Sequence, residues 1–199
     1  MAGLSVSAQL FAGVIRGVSR IESLTQIPEA RFEPGSWLVL DVDDVLVQGR
    51  LATGLSHFDK DIPQWITRIS GKKIETMALT HRDPDQAKEL SEALTEMGYS
   101  FTLREQNFAE YPFLGKATRL PVFTNGIFLV GQWRSKGEEF SHWLRRQGWN
   151  PPKVIFVDNT LENLVDVGNW LDEMGISYEG YWLIDSSVPV PCGWEIVQF

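Results

Sequence analysis

The stretch Trp37-Leu38-Val39-Leu40-Asp41-Val42-Asp43-Asp44-Val45-Leu46-Val47 constrains this chain more than any other. Large apolar residues run unbroken, three acids follow almost together, and the chain then turns apolar again. An uninterrupted apolar run reads as a strand buried on both faces, as in a parallel sheet. The acids fall where that strand leaves the sheet, and in open α/β sheets the crevice beyond the carboxyl ends of the strands is where ligands bind. Clustered carboxylates repel one another unless a cation or a proton offsets the charge. The economical reading is a Mg2+ site beside a nucleophilic aspartate. Two other readings stay open on this segment alone: acid-x-acid pairs also occur in sugar-nucleotide transferases, and Asp43 or Asp44 can cap a helix.

The rest of the chain alternates strand and helix signals. Ile62, Trp65, Ile66 and Ile69 mark one face of a short helix, and Glu75 to Thr80 reads as a second strand. Asp83-Pro84 is an N-cap followed by proline at the first helical position; Ala87, Leu90, Leu94 and Met97 give the buried stripe, and Gly98 the stop. Phe101 to Leu103 reads as a third strand. Asn125-Gly126 between apolar runs signals a β-hairpin over Val122 to Leu129. A helix begins near Lys136, with Phe140, Trp143 and Leu144 inward and Gly148 as its stop. Val154 to Val157 is another apolar strand ending in an acid, Asp158. Leu161, Leu164, Val165, Gly168 and Leu171 continue as a helix to Gly175, and Tyr178 to Ile184 is a last strand. Such alternation predicts a doubly wound, parallel α/β sheet carrying a β-hairpin insertion.

The chain has 199 residues, 43% of them hydrophobic, enough for one α/β domain with a substantial core. Its formal net charge of -8 comes without a Lys/Arg cluster, which argues against nucleic acid and anionic membrane surfaces. Cys192 is the sole cysteine, so no internal disulfide forms. The uncharged start, Met1 to Ile15, lacks a basic region and is too short to span a bilayer. Leu4, Ala8, Phe11, Ile15 and Val18 follow helical spacing, so residues 1–30 are expected to pack an amphipathic helix on a domain formed by residues 31–199. A cytoplasmic location is expected, with secretion left open.

Four features fall in a suggestive order: the acid pair Asp41 and Asp43, the hydroxyl of Thr80 in Ala-Leu-Thr-His-Arg, Lys136 in Ser-Lys-Gly-Glu-Glu-Phe, and Asp158 in Val-Asp-Asn-Thr-Leu-Glu-Asn. Their order and their placement at strand ends resemble the four motifs of the haloacid dehalogenase (HAD)-like hydrolase superfamily, and Asp-Asn-Thr-Leu-Glu-Asn resembles an uncharacterised bacterial branch of it. The resemblance covers Trp37 to about Glu162 and implies a HAD-like Rossmannoid fold. It further implies a phosphoric monoester hydrolase that passes through an aspartyl-phosphate. Asp41 would be the nucleophile and Asp43 the acid and base, while Thr80 and Lys136 would hold phosphate oxygens. Mg2+ would sit on Asp41, Asp43 through its backbone carbonyl, and Asp158. Asp44 is assigned to local hydrogen bonding.

Asn159 departs from the adjacent acid pair common in the fourth motif. Glu162 could supply the second acid, or Asn159 could hold a metal-bound water. His81 and Arg82, next to Thr80, are auxiliary candidates, with plain exposed loop residues the commoner explanation.

In such enzymes substrate choice comes from cap insertions. Val47 to Lys73 holds little more than one short helix, and Arg104 to Ser135 has room only for loops and the hairpin. The cap is therefore minimal and the site open, suited to a small phosphorylated molecule, to a larger phosphorylated partner, or to closure by a second copy in a homodimer. The chief alternative is a HAD-fold binding or interaction protein with weak or no catalysis. A receiver-type signalling module ranks lower, because Lys136 precedes glycine at a helix start instead of ending a strand.

Overall fold

The computed structural model describes residues 13–103, 120–185, 187–189 and 194–197. Its elements in chain order are β1 (Gly13–Arg16), β2 (Val18–Ile21), β3 (Trp37–Leu40), β4 (Val47–Arg50), β5 (Gly54–His57), α1 (Ile62–Ser70), β6 (Glu75–Thr80), α2 (Ala87–Glu96), β7 (Val122–Thr124), β8 (Ile127–Leu129), α3 (Lys136–Gln147), β9 (Lys153–Asp158), α4 (Leu161–Glu173), β10 (Ser177–Leu183) and β11 (Trp194–Val197).

Seven strands form one sheet in the order β2-β10-β9-β3-β6-β8-β7, parallel throughout except for β7. The period-two alternation of side chains divides the interior into two cores. Leu38, Leu40, Ala78, Ile155 and Val157 face α1 and α2, whereas Trp37, Val39, Met77, Leu79, Val154 and Phe156 face α3 and α4. Covering both faces is what permits near-continuous apolar strands such as Trp37–Leu40. This is an α/β architecture with a mostly parallel central sheet.

The order of the strands decides where a ligand can sit. From β3 the chain moves outward on one side to β6 and β8, then returns to lay β9 and β10 on the other side of β3. The winding reverses between β3 and β9, and in open α/β sheets ligands bind beyond the carboxyl ends of the strands at such a point.

The structure departs from the sequence expectations at several points. The described part of the expected N-terminal helix is strand: Ile15 lies in β1 and Val18 in β2, while Leu4, Ala8 and Phe11 fall outside the described residues. Gly13 and Gly17 (φ 78°) weaken a helix here, and the β-branched run Val14, Ile15, Val18 instead pairs with β11 and the open edge of β10. β2 thus belongs to the same sheet as the rest of the domain. Phe101 and Leu103 are buried, but the segment joins no ladder. Thr76 and Thr102 trade hydroxyls for backbone amides (2.7 and 3.0 Å), and β8 pairs with the carboxyl half of β6.

Two further differences concern loops. Asp83 makes no side-chain cap, and Pro84 opens a short 3-10 turn leading into α2. The interval after β3 carries a two-stranded hairpin, β4–β5, as well as α1. Gly49 (φ 99°) is needed there, since a Cβ would stand 2.6 Å from the Gly54 carbonyl oxygen across the hairpin. The Asn125-Gly126 turn is as expected: both residues have positive φ (48° and 81°), the backbone of a primed hairpin turn. Of the interval from Arg104 onward, residues 104–119 lie outside the described residues.

Candidate active site

Asp41 continues β3 without a break, its N–H donating to the Val157 carbonyl of β9 (2.9 Å), and Asp158 is the last residue of β9. Two carboxylates therefore stand at the ends of adjacent parallel strands. Lys136, the first residue of α3, lies between them: its Nζ is 2.8 Å from Asp41 Oδ1 and 2.7 Å from Asp158 Oδ2. The Lys136 side chain is 1% exposed and that of Asp158 0%. Nζ also lies 5.7 Å from the ring centre of Phe156.

The start of α3 is fixed locally. Ser135 is its N-cap, accepting from the Glu138 N–H (2.9 Å) while donating its own hydroxyl proton to Asp166 of α4 (2.8 Å). The Gly137 N–H donates to the same carboxylate (2.8 Å). α3 and α4 approach so closely that a Cβ at Gly137 would stand 2.5 Å from the Asp166 carbonyl oxygen. A glycine after Lys136 is thus a packing requirement that sets how the lysine enters the crevice.

The electrostatics follow from burial. Asp158 accepts hydrogen bonds from three sides, from the Lys136 ammonium, from the Thr160 N–H (2.8 Å to Oδ1) and from Asn163 Nδ2 (3.2 and 3.0 Å). Burial pushes the Asp41 carboxyl up to about 7; Lys136 opposes the shift, and the nearby Asp158 adds to it. Burial works against the Lys136 ammonium, but Asp158 and then Asp41 outweigh it and hold its pKa above the usual lysine value. Burial, and then the Lys136 charge, lower the pKa of His81, whose Nε2 lies 3.0 Å from the Arg134 carbonyl oxygen.

Asp43 turns to a different partner. Its carboxylate meets the Arg82 guanidinium through Nη2 (2.6 Å to Oδ1) and Nε (3.0 Å to Oδ2). Arg82 comes from the turn after β6, where its N–H donates to the buried Thr80 hydroxyl (3.1 Å). Asp44 is exposed and left-handed (φ 56°), and its backbone N–H donates to the Val47 carbonyl (2.8 Å).

Lys136, Asp41 and Asp158 therefore share one cluster, while Asp43, Arg82 and Thr80 share the turns at the neighbouring strand ends. Glu162 is exposed, and the residue bonded to Asp158 is its neighbour Asn163. Asn159 contributes its carbonyl oxygen to Trp182 Nε1 (3.0 Å), and its side chain accepts from Thr160 (3.4 Å). Sequence reasoning missed Asn163 and Asp166, and it gave Arg82 too little weight. The hint for Asn163 was its amide, five residues beyond Asp158, within reach at the first turn of α4.

The residues that could hold a cation are Asp41 and Asp158 with main-chain oxygens beside them. No group of three or more His, Cys, Asp or Glu side chains suited to a metal occurs among the described residues. No helix among them is long and apolar enough to cross a membrane.

Known proteins give two points of comparison. A protein of Chlamydia trachomatis serovar D, named "Putative outer membrane protein", is 27% identical, covering 72% of this chain and 67% of its own. A protein of Chlamydia pneumoniae with the same descriptive name is 26% identical, covering 74% of this chain and 69% of its own. A family match spans Thr80, Lys136 and Asp158 but begins after Asp41 and Asp43: over residues 50–191 the chain matches, and belongs to, the family described as "Protein of unknown function (DUF2608)".

Proposed function

We propose that this protein is a Mg2+-dependent phosphohydrolase of the HAD-like type, cleaving a phosphomonoester through an aspartyl-phosphate on Asp41. The observation that carries the reading is the buried Lys136 bridging Asp41 and Asp158 at the point where the sheet reverses its winding. A buried lysine between two carboxylates is costly to assemble, and such groups concentrate where chemistry needs them.

The donor set fits Mg2+, a cation that takes one or two carboxylates, keeps several waters and completes its shell with substrate phosphate. Asp41, Asp158 and the Asp43 carbonyl would hold it. The upward shift of the Asp41 carboxyl marks burial that Lys136 only partly offsets and that a bound cation would offset further. When bound, the ion would offset the charge that otherwise keeps a carboxylate from a phosphate dianion.

The chain's own residues do the rest. Asp41 Oδ attacks phosphorus in line, and the bond to the leaving oxygen breaks as Asp43 gives that oxygen a proton. Water then attacks the aspartyl-phosphate, Asp43 takes a proton back, and phosphate leaves. Lys136 holds Asp41 in place and faces the developing charge. Thr80 accepts from the Arg82 N–H, which leaves its hydroxyl proton to donate to a phosphate oxygen. The test is hydrolysis of an aryl phosphate with and without Mg2+. Turnover that needs the metal and vanishes in Asp41→Asn, with that variant still folded, is expected; turnover retained in that variant rules out the nucleophile.

One observation favours a second reading, a HAD-fold binding protein with weak or no catalysis. Protein donors already occupy both oxygens of Asp158 and both of Asp43. Failure to bind Mg2+ at millimolar concentration would select it.

The substrate is a small phosphorylated molecule or a larger partner reaching an open site, with a homodimer as one way to close it. The cytoplasm is the compartment proposed from composition, and the relatives' printed name makes the cell envelope its rival. Cell fractionation decides between them.

A further inference from the structure

We propose that Arg82 is the group that binds the substrate's phosphate, and that Asp43 is the resting stand-in the phosphate displaces. This rests on the phosphohydrolase reading, phosphomonoester substrate included, and adds to it a specificity-determining residue.

The asymmetry of the Asp43–Arg82 pair is the starting point. The Arg82 side chain is 11% exposed and that of Asp43 47%. The cation is thus held by the protein and the anion half-open to solvent, so the anion is the member that can swing away. A guanidinium offers a planar fork that fits carboxylate and phosphate alike, and each binds it through two parallel bonds. Asp43 fills that fork now, with Oδ1 on Nη2 and Oδ2 on Nε.

Position supports the exchange. β3 and β6 are adjacent, with Leu40 opposite Ala78, so the turn carrying Asp43 and the turn carrying Arg82 rise side by side from the sheet. The backbone of Arg82 is tied to the Thr80 hydroxyl, which fixes the base of the arginine while its partner is free to change.

The exchange also resolves a conflict in the mechanism. With both oxygens on Arg82, Asp43 has none directed at a leaving group. A phosphate that takes the fork frees Asp43 at the moment its proton transfer is needed. A dianionic monoester outbids a singly charged carboxylate more readily than a monoanionic diester does, so the pair screens for monoesters.

Titration calorimetry with inorganic phosphate in the presence of Mg2+ tests this on the full chain. Arg82→Ala should weaken phosphate binding by about 10- to 100-fold, the range for charge-assisted bonds to one group. Arg82→Lys keeps a charge but loses the fork, so it should also weaken binding, and it covers the case in which the alanine variant does not fold. Asp43→Asn should tighten phosphate binding severalfold, because Arg82 no longer has to be taken from a carboxylate. A pair that is only structural would leave phosphate affinity unchanged in all three, which overturns the inference and spares the phosphohydrolase reading. Weaker binding in Asp43→Asn would overturn it as well, making Asp43 a positioning residue for Arg82. No phosphate binding to the unaltered protein would overturn both.

Discussion

Replacing Lys136 with methionine removes the cation that bridges two buried carboxylates and keeps the length of the side chain. Lys136 is 2.8 Å from Asp41 and 2.7 Å from Asp158, and the three side chains are 1%, 9% and 0% exposed. Breaking a buried ion pair from one side costs about 3–5 kcal/mol, because a charge is left without compensation. The Thr160 N–H and Asn163 still satisfy Asp158, so the loss falls mainly on Asp41. For a chain of this size that is a fall in melting temperature of roughly 6–20 °C.

The deficit should also depend on pH, and the sign can be fixed. Without Lys136 the native Asp41 carboxyl titrates even higher than its present value of about 7, against 3.8 in the unfolded chain. The native state then holds a proton that the unfolded state has lost, so stability falls as pH rises across that window. Denaturant melts at about pH 5 and about pH 8 should show a larger deficit at the higher pH. Lys136→Met combined with Asp41→Asn should recover much of the loss, since the stranded charge is gone. A deficit under about 1 kcal/mol, equal at both pH values, would refute the argument that this lysine compensates buried charge.

Two further outcomes are expected. In the unaltered protein Asp41 already titrates above its unfolded value, so its contribution to stability is full below about pH 4 and is lost as pH rises through about 7. A denaturation midpoint that rises over that interval would contradict this. Gly137→Ala should destabilise by about 1–3 kcal/mol, because the added methyl group meets the Asp166 carbonyl at 2.5 Å and Trp170 Cδ1 at 2.6 Å. Thermal melts read this directly, and a variant as stable as the parent would mean that α3 and α4 have room to part.

Much of the site was legible because it sits where periodicity breaks. The apolar strand ending at Leu40, the strand ending at Thr80 and the strand ending at Asp158 each announce themselves by a run that stops at a polar group. Lys136 was legible as the start of a helix whose inward stripe is Phe140, Trp143 and Leu144 and whose stop is Gly148. Pairings across the fold were not legible. Arg82 looked like an exposed loop residue because nothing local says that its partner lies in the turn beyond the neighbouring strand, 39 residues away. Asn163 was hidden behind Glu162: an acid is the more obvious ligand type, but in α4 the neighbouring amide is the one bonded to Asp158. The N-terminal strands were misread because i, i+3 spacing over a few residues does not separate a helix from two short strands joined at a glycine. The β4–β5 hairpin lacks an Asn-Gly signal, and its Gly49 serves a close backbone approach visible only after folding.

The central claim is that Asp41 carries the phosphoryl group, and mass spectrometry of acid-quenched protein tests it most directly. Incubation with an aryl phosphate and Mg2+ should place a phosphoryl adduct on the peptide bearing Asp41, absent without Mg2+ and absent in Asp41→Asn. Metal-dependent turnover with no adduct at Asp41, or with an adduct on another residue, would contradict it.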